Sequence, residues 1–143
     1  MGVSHFESMH TAIATKMVPP TVLIVDDHVV LRARLREDFL SHGFTVCPEA
    51  GDGKQAIEVA RECKPDIIVL DLSMPVMNGL EAAPILKQIL PDTPIILFTL
   101  HRDAFENSNL SCLGITAILS KSAPLDKLLQ KVDELLNKQS EPK

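Results

Sequence analysis

Four apolar stretches of the 143-residue chain end in side chains that could hold a divalent cation and a phosphoryl group. Asp26 and Asp27 follow the first of these stretches, Asp71 follows the next, and Thr99 and Lys121 follow the last two. Three carboxylates that lie close together repel one another, and Mg²⁺, which prefers oxygen ligands, removes that repulsion. A hydroxyl and an ammonium group beside them suit a phosphate. Together the five residues predict a metal-assisted phosphoryl site.

Each of these residues also has an ordinary structural interpretation. An aspartate after a strand often caps the next helix, and a threonine is a common strand residue. A single lysine usually lies at the surface. The functional interpretation therefore depends on whether the fold brings all four stretches to one edge of the molecule.

The spacing of apolar residues predicts strands that alternate with helices. Strands are expected at 22–25, 44–47, 67–70, 94–98 and 117–119, and helices at 28–42, in a segment that Pro65 ends, and at about 79–90, 103–112 and 123–138. Strict alternation indicates an α/β fold with a parallel sheet and helices on both faces. We predict a flavodoxin-like, doubly wound, five-stranded sheet in the order 2-1-3-4-5. Sites in such sheets lie at the carboxyl ends of the strands.

The composition excludes several other classes of protein. Hydrophobic residues make up 45% and charged residues 23%, which is typical of a folded domain. No stretch approaches the roughly 18 apolar residues of a membrane-spanning helix. A net charge of −5 argues against direct binding of nucleic acid, and the absence of Trp and Tyr argues against a stacking platform for bases or flavins. The widely spaced Cys47, Cys63 and Cys112 predict no disulfide and no zinc site, as expected of thiols in a reducing cytoplasm.

Five short motifs resemble the receiver domain of two-component response regulators. In chain order they are Val25-Asp26-Asp27-His28, Leu70-Asp71-Leu72-Ser73-Met74-Pro75, Asn78-Gly79, Phe98-Thr99-Leu100-His101 and Ser120-Lys121. The first and fourth look most like receivers of nitrate-regulator and LuxR-type transcription factors. The resemblance covers residues 21–138, with 1–20 as a flexible N-terminal extension and 139–143 as a C-terminal tail or linker remnant.

The resemblance implies a role for each residue of the site. Asp71 would be the phosphoacceptor. The metal ligands would be Asp26, Asp27, Asp71 and the backbone carbonyl of Ser73, which would hold Mg²⁺ or, in its place, Mn²⁺. The phosphate-binding and switch groups would be Thr99, Lys121 and the backbone of Leu100.

The resemblance also implies partners and an output. A sensor histidine kinase or a histidine phosphotransfer protein would supply the phosphoryl group, and the surface around the fourth helix and fifth strand would then change. That surface would control a downstream protein, a DNA-binding domain missing from this chain, or a homodimer. The domain would be cytoplasmic and would bind neither membranes nor nucleic acid directly. It would not be an enzyme, apart from slow self-dephosphorylation.

The chain departs from the receiver pattern near its expected signalling surface. Ile118 stands where receivers commonly carry Tyr or Phe, so the aromatic switch position is degenerate. Ser122 follows Lys121 in place of the usual proline, and Leu100 is bulkier than usual and is expected to shield the acyl phosphate. Pro84 falls inside the predicted third helix, which must therefore begin late, near residue 83, or be kinked.

Several alternatives share parts of this pattern. A flavodoxin-like FMN protein would need a hydroxyl-rich loop after the first strand, and a haloacid-dehalogenase-type phosphatase would need a second aspartate at Ser73. The stronger alternative is a receiver-like scaffold that binds proteins without being phosphorylated. Such scaffolds usually lack one of the acidic residues or the lysine, and this chain has all of them.

Overall fold

Five strands alternate with helices in the computed structural model, which describes residues 18–105 and 109–140. The strands are β1 (Thr21–Val25), β2 (Thr45–Val46), β3 (Ile67–Leu70), β4 (Ile95–Thr99) and β5 (Ala117–Ser120). The α-helices are α1 (Val29–Ser41), α2 (Gly53–Cys63), α3 (Gly79–Ile89) and α4 (Leu125–Ser140). Most of the predicted N-terminal extension (1–17) and the end of the predicted tail (141–143) lie outside the described residues.

The strands form one parallel sheet in the order β2-β1-β3-β4-β5, which confirms the predicted order. In the register of the two central strands, Val22 lies opposite Ile67 and Val25 lies opposite Leu70. Both strands therefore end at the same level, and the residues that follow them are neighbours at the carboxyl edge.

Helices cover both faces of the sheet, as continuous apolar strands in a parallel sheet require. The strand side chains that face α2 and α3 are Leu23, Val25, Ile68, Leu70, Ile95 and Leu97, and all of them are buried. Those that face α1 and α4 are Val22, Ile24, Ile67, Val69, Ile96 and Phe98. Alternate residues of each strand thus enter two separate apolar cores, which hold the strand ends rigidly in place.

The third helix begins well before residue 83, the late start that was one of the two expectations raised by Pro84. The side chain of Asn78 accepts a hydrogen bond from the Glu81 amide (2.9 Å), and the Glu81 carboxylate accepts one from the Asn78 amide (3.0 Å). This capping box satisfies two N–H groups that a helix otherwise leaves without partners, and it starts the helix at Gly79. The prediction of a late start near residue 83 is therefore wrong, and Pro84 lies inside the helix.

The predicted helix at about 103–112 is also wrong for the residues that the structure describes. Two short 3₁₀ helices occupy Arg102–Phe105 and Leu110–Leu113, and the segment between them (106–108) lies outside the described residues. Asn109 accepts a hydrogen bond from the Ser111 amide at 3.3 Å and so begins a new element. Asparagine favours caps over helix interiors, which explains why the α-helical pattern is interrupted.

The expectation of three unpaired cysteines is wrong for two of them. Cys47 and Cys63 form a disulfide, with their Cα atoms 6.1 Å apart, whereas Cys112 is an exposed free thiol. Sixteen positions separate the paired residues along the chain. The wide spacing concealed the pairing because the end of β2 and the end of α2 become neighbours only when both pack beside β1.

Candidate functional site

Three aspartates meet at the carboxyl edge of the sheet, beyond β1 and β3. Asp26, Asp27 and Asp71 each offer a carboxylate oxygen, and these oxygens all lie within 4.8 Å of one another. Asp26 is 2% exposed and Asp71 is 6% exposed, whereas Asp27 is open to solvent. The predicted convergence of these three residues is thus what the structure contains, and it follows from the shared register of β1 and β3.

The backbone fixes the two buried aspartates on opposite sides of the pocket. The Asp71 amide donates to the carbonyl of Val25 (2.9 Å), which continues the ladder between β1 and β3. The Asp26 amide donates to the carbonyl of Ala50 (3.1 Å), and its Oδ1 atom accepts from the His28 amide (2.8 Å). Main-chain contacts therefore set the position of both carboxylates.

Lys121 joins the cluster from the far side of β4. Its Nζ atom lies 2.7 Å from Oδ2 of Asp26 and 3.1 Å from Oδ1 of Asp71, and its side chain is 12% exposed. Its amide donates to the carbonyl of Thr99 at 2.9 Å, which fixes its backbone at the end of β5. The ammonium group thus bridges two carboxylates that would otherwise repel each other.

Burial and the charges of the pocket shift the pKa values of both Asp71 and Lys121. Burial raises the pKa of the Asp71 carboxyl, and the negative charge of Asp26 raises it further, while Lys121 lowers it only in part. Burial lowers the pKa of Lys121, but its hydrogen bond to Asp26 and the charges of Asp26 and Asp71 outweigh burial and leave that pKa raised. The lysine therefore stays charged, and the pocket retains an excess of negative charge that favours a further cation.

Thr99 and Leu100 lie where β4 ends, beside the last residue of β5. Thr99 is 1% exposed, and its Oγ1 atom accepts a hydrogen bond from the His101 amide at 3.0 Å. Leu100 projects its side chain into solvent. Thr99 lies opposite Ser120 in the register of the two strands, so its hydroxyl and Lys121 leave the sheet at neighbouring points.

The loop between β3 and α3 carries Ser73 and is tied down at two points. Ser73 is exposed and lies two residues beyond Asp71; the role of its carbonyl as a metal ligand stays a prediction. The Gly79 amide donates to the carbonyl of Leu72 (2.9 Å). The Gly53 amide, at the start of α2, donates to the carbonyl of Met77 (2.9 Å). These contacts hold the loop against the pocket.

Ile118 lies in the middle of β5, opposite Leu97 of β4. Its side chain is partly buried against the core on the α2 and α3 side of the sheet. It borders a surface groove of about 350 Å³ that Arg102, Phe105 and Leu110 also line. A branched aliphatic side chain thus takes the place that the receiver pattern gives to an aromatic ring.

Arg32 belongs to the site although the sequence analysis did not single it out. Its guanidinium donates to the backbone carbonyl of Asp26 (2.6 Å) and pairs with the Glu49 carboxylate (3.0 Å). In the sequence it is one of three arginines in the first predicted helix, and helical spacing alone does not separate it from exposed Arg34 and Arg36. The available signal was its position one helical turn after His28, which caps the start of α1.

The donor set fits a hard divalent cation. Mg²⁺ takes oxygen ligands and is usually held by one or two carboxylates together with water and phosphate oxygens. The three clustered carboxylates, two of them buried and one open to solvent, provide such a partial set of ligands.

Comparisons with known proteins identify the same kind of domain. The family model described as the response regulator receiver domain matches residues 22–133. A putative transcriptional regulator of Pseudomonas aeruginosa is 37% identical over 108 residues, which cover 76% of this chain and 52% of the relative. The chain thus spans about half the length of the curated transcriptional regulators that it matches.

Two solved structures extend the comparison to the fold. A LuxR-family response regulator from Aurantimonas sp. SI85-9A1 has a TM-score of 0.77 and 30% identity, and the match covers 85% of this chain and 87% of that one. A CheX–CheY complex of Borrelia burgdorferi with BeF3 and Mg²⁺ has a TM-score of 0.77 and 27% identity, with 82% and 90% covered. No helix in the described part of the chain has the length and apolar character to cross a membrane. The resemblance inferred from the five motifs is confirmed, and the chain belongs to the family of response regulator receiver domains.

Proposed function

We propose that Asp71 accepts a phosphoryl group from a histidine kinase or a histidine phosphotransfer protein in a Mg²⁺-dependent reaction. The observation that carries this proposal is the convergence of three carboxylates and Lys121 at the carboxyl edge of the sheet. Receiver domains are signalling domains and not classical enzymes, their partners are histidine kinases or phosphotransfer proteins, and they bind Mg²⁺ at an acidic pocket.

The residues of the pocket have distinct tasks in this proposal. Asp26, Asp27, Asp71 and the carbonyl of Ser73 hold the metal, and Mn²⁺ can replace Mg²⁺ because both accept oxygen ligands. When bound, the metal neutralises negative charge on the phosphoryl group during transfer. A carboxylate oxygen of Asp71 forms the new P–O bond while the P–N bond of the donor phosphohistidine breaks and leaves its electron pair on the imidazole nitrogen.

Lys121 and Thr99 respond to the product in this proposal. A phosphoryl group adds about −1.5 to −2 charge, if an acyl phosphate behaves like an ester. Lys121 already contacts Asp71 and can pair with the added oxygens, and the Thr99 hydroxyl can donate to them once it turns from its contact with His101. The two residues leave β4 and β5 side by side, so their movement reaches the adjacent surface.

The output surface in this proposal comprises β5 and the two 3₁₀ helices after β4. Ile118 and Phe105 both border the groove between them. Because Ile118 has no ring to turn inward, switching here depends on movement of the backbone around Thr99 and Lys121. We place the domain in the cytoplasm, where it controls a downstream protein, an attached DNA-binding domain or a second copy of itself.

A second candidate function is a receiver-like scaffold that is never phosphorylated. Ile118 at the aromatic switch position and Ser122 after Lys121 favour it, since both depart from the receiver pattern next to the output surface. The intact acidic cluster favours phosphorylation instead.

The test is the intact mass of the protein after incubation with acetyl phosphate, with and without Mg²⁺. We expect one added phosphoryl group that requires Mg²⁺, is released by hydroxylamine and is absent from Asp71→Asn. Asp133→Asn, which alters an exposed aspartate of α4, is the matched control and should be labelled like the wild type. If no adduct forms and beryllofluoride does not bind either, phosphorylation is excluded and the scaffold function is favoured.

A further inference from the structure

The disulfide between Cys47 and Cys63 joins one buried residue to one that is partly open to solvent. Cys47 directly follows the edge strand β2 and is 2% exposed. Cys63 is the last residue of α2, is only partly buried and lines an open surface pocket of about 330 Å³ with Val59 and Glu62. A small reagent can therefore approach the pair through Cys63.

The segment that this disulfide encloses supports the acidic pocket. The carbonyl of Ala50 accepts the hydrogen bond of the Asp26 amide (3.1 Å), and Ala50 also bridges to the end of β1. Glu49 pairs with Arg32, whose guanidinium holds the carbonyl of Asp26. The residue that lies three positions from the disulfide thus contacts the backbone of a buried aspartate directly.

The same segment reaches the loop that follows the phosphoacceptor. The Gly53 amide donates to the carbonyl of Met77 at 2.9 Å. A Cβ atom at Gly53 would lie 2.8 Å from the same carbonyl oxygen and 3.0 Å from Ala82, so the two chains are in close contact here. Residues 48–53 therefore touch both sides of the pocket, at Asp26 and in the β3–α3 loop.

We propose that Cys47 and Cys63 are a thiol–disulfide site at which a peroxide tightens the backbone that supports the acidic pocket. The Cys63 thiolate attacks one peroxide oxygen and becomes a sulfenic acid as the first water leaves. The Cys47 thiol then attacks the Cys63 sulfur, the S–S bond forms and the second water leaves. The two thiols together lose two electrons, and hydrogen peroxide accepts them and is reduced to two waters.

A dithiol reductant reverses the reaction at Cys63, the more exposed residue of the pair. Its thiolate attacks Cys63 and releases Cys47 as a thiol, and its second thiol then frees Cys63 while the reductant becomes a disulfide. Reduction releases the two ends of the enclosed segment, residues 48–62, so the hydrogen bonds from the Asp26 and Gly53 amides open more often. The expected consequence for the metal, which rests on the function proposed above, is weaker Mg²⁺ binding in the reduced form.

The test uses the full chain with Cys112→Ser, which removes the free thiol, and compares oxidised with reduced protein. We expect hydrogen peroxide to close the disulfide, as measured by thiol alkylation and intact mass, and reduction to lower the midpoint of thermal unfolding by roughly 10 °C. Amide exchange of Asp26 and Gly53 should accelerate roughly threefold or more on reduction, while the Lys121 amide, bonded to Thr99 across the site, should not change.

The matched control carries Cys47→Ser and Cys63→Ser as well, and neither its exchange rates nor its Mg²⁺ affinity should respond to redox reagents. Cysteines that stay reduced in peroxide overturn the proposal. Equal acceleration of all three amides also overturns it, because the disulfide would then stabilise the whole domain without acting on the pocket. Failure to bind Mg²⁺ in either state would contradict the proposed metal site, whereas the amide exchange still decides the thiol proposal.

Discussion

Arg32 donates a 2.6 Å hydrogen bond from its guanidinium to the backbone carbonyl of Asp26. The arginine lies in the first turn of α1, and its side chain also pairs with Glu49 in the segment that follows β2. It therefore connects α1 and that segment to the main chain of a buried carboxylate. Its contribution is to position the main chain of Asp26.

We predict that Arg32→Gln weakens Mg²⁺ binding by roughly tenfold, which is equivalent to about 1.4 kcal/mol. The loss arises because the carbonyl of Asp26 no longer has a charged donor to fix it. Isothermal titration with Mg²⁺ measures the effect. Arg34→Gln removes the same charge from the exposed face of α1 and should bind Mg²⁺ like the wild type; equal weakening in both variants would contradict a positioning role.

Replacing Lys121 with methionine should strengthen Mg²⁺ binding severalfold while abolishing the switch. The ammonium group occupies oxygens of both Asp26 and Asp71, so it competes with a metal for them. Without Mg²⁺ the same variant should unfold at a lower temperature, because two buried carboxylates lose their cation. Titration and thermal unfolding measure the two effects, with exposed Lys127→Met of α4 as the control. Unchanged or weaker Mg²⁺ binding in Lys121→Met would show that the lysine does not compete with the metal.

Asp71→Asn should stabilise the Mg²⁺-free protein at neutral pH. Burial and the charge of Asp26 raise the pKa of Asp71 in the folded state above its ordinary value of 3.8. The folded protein then holds the proton more tightly than the unfolded chain does, so the associated stability is complete below 3.8 and is lost as the pH rises through the folded pKa. The thermal midpoint of the variant should exceed that of the wild type near neutral pH, by about 2–4 °C for each kcal/mol of relieved repulsion.

The sharper measurement is how the difference in thermal midpoint between Asp71→Asn and the wild type changes with pH. The gain from Asp71→Asn should shrink as the pH falls through the folded pKa of Asp71 and vanish below 3.8, where the wild-type carboxyl is protonated in both states. Asp133→Asn, on the exposed face of α4, should show no such trend. A gain that grows on acidification would have the wrong sign and would refute the raised pKa.

Gly79→Ala should destabilise the domain by roughly 1–3 kcal/mol and reduce labelling of Asp71. A Cβ atom at this position would overlap the backbone carbonyl oxygen of Asp71 and lie 3.1 Å from Cα of Leu72. Asp71 must then shift with the start of α3. Gly51→Ala provides a milder comparison, since its Cβ would lie 3.1 Å from the Arg32 guanidinium and 3.6 Å from the Gln55 side chain and would overlap no backbone atom. Thermal unfolding and acetyl phosphate labelling distinguish the two, and equal effects would contradict this explanation.

The sequence predicted the strand order and the acidic cluster because both depend on simple periodic rules. Continuous apolar runs indicate strands that are buried on both faces, and parallel strands end at a common edge. Asp26 and Asp71 each follow such a run directly, and Lys121 follows one after Ser120. Their meeting therefore required only that the strands be counted and ordered correctly.

Three structural features could not be predicted from the sequence, because they depend on packing between segments that are distant in the chain or on the orientation of a single side chain. The disulfide between Cys47 and Cys63 requires the edge strand and α2 to lie side by side. The contact between Arg32 and Asp26 depends on which way one arginine of an exposed helix turns. The two 3₁₀ helices replace a predicted α-helix because Asn109 offers its side chain to the backbone and begins a separate element.

The register of β1 against β3, in which Val25 lies opposite Leu70, makes the site a reporter of correct folding. A slip of one residue would move Asp71 by about 3.3 Å and turn its side chain to the other face of the sheet. The carboxylates would no longer meet, and the misfolded chain would lack the acidic pocket altogether. Errors in strand pairing therefore remove the pocket, so under the function proposed above a mispaired chain would accept no phosphoryl group.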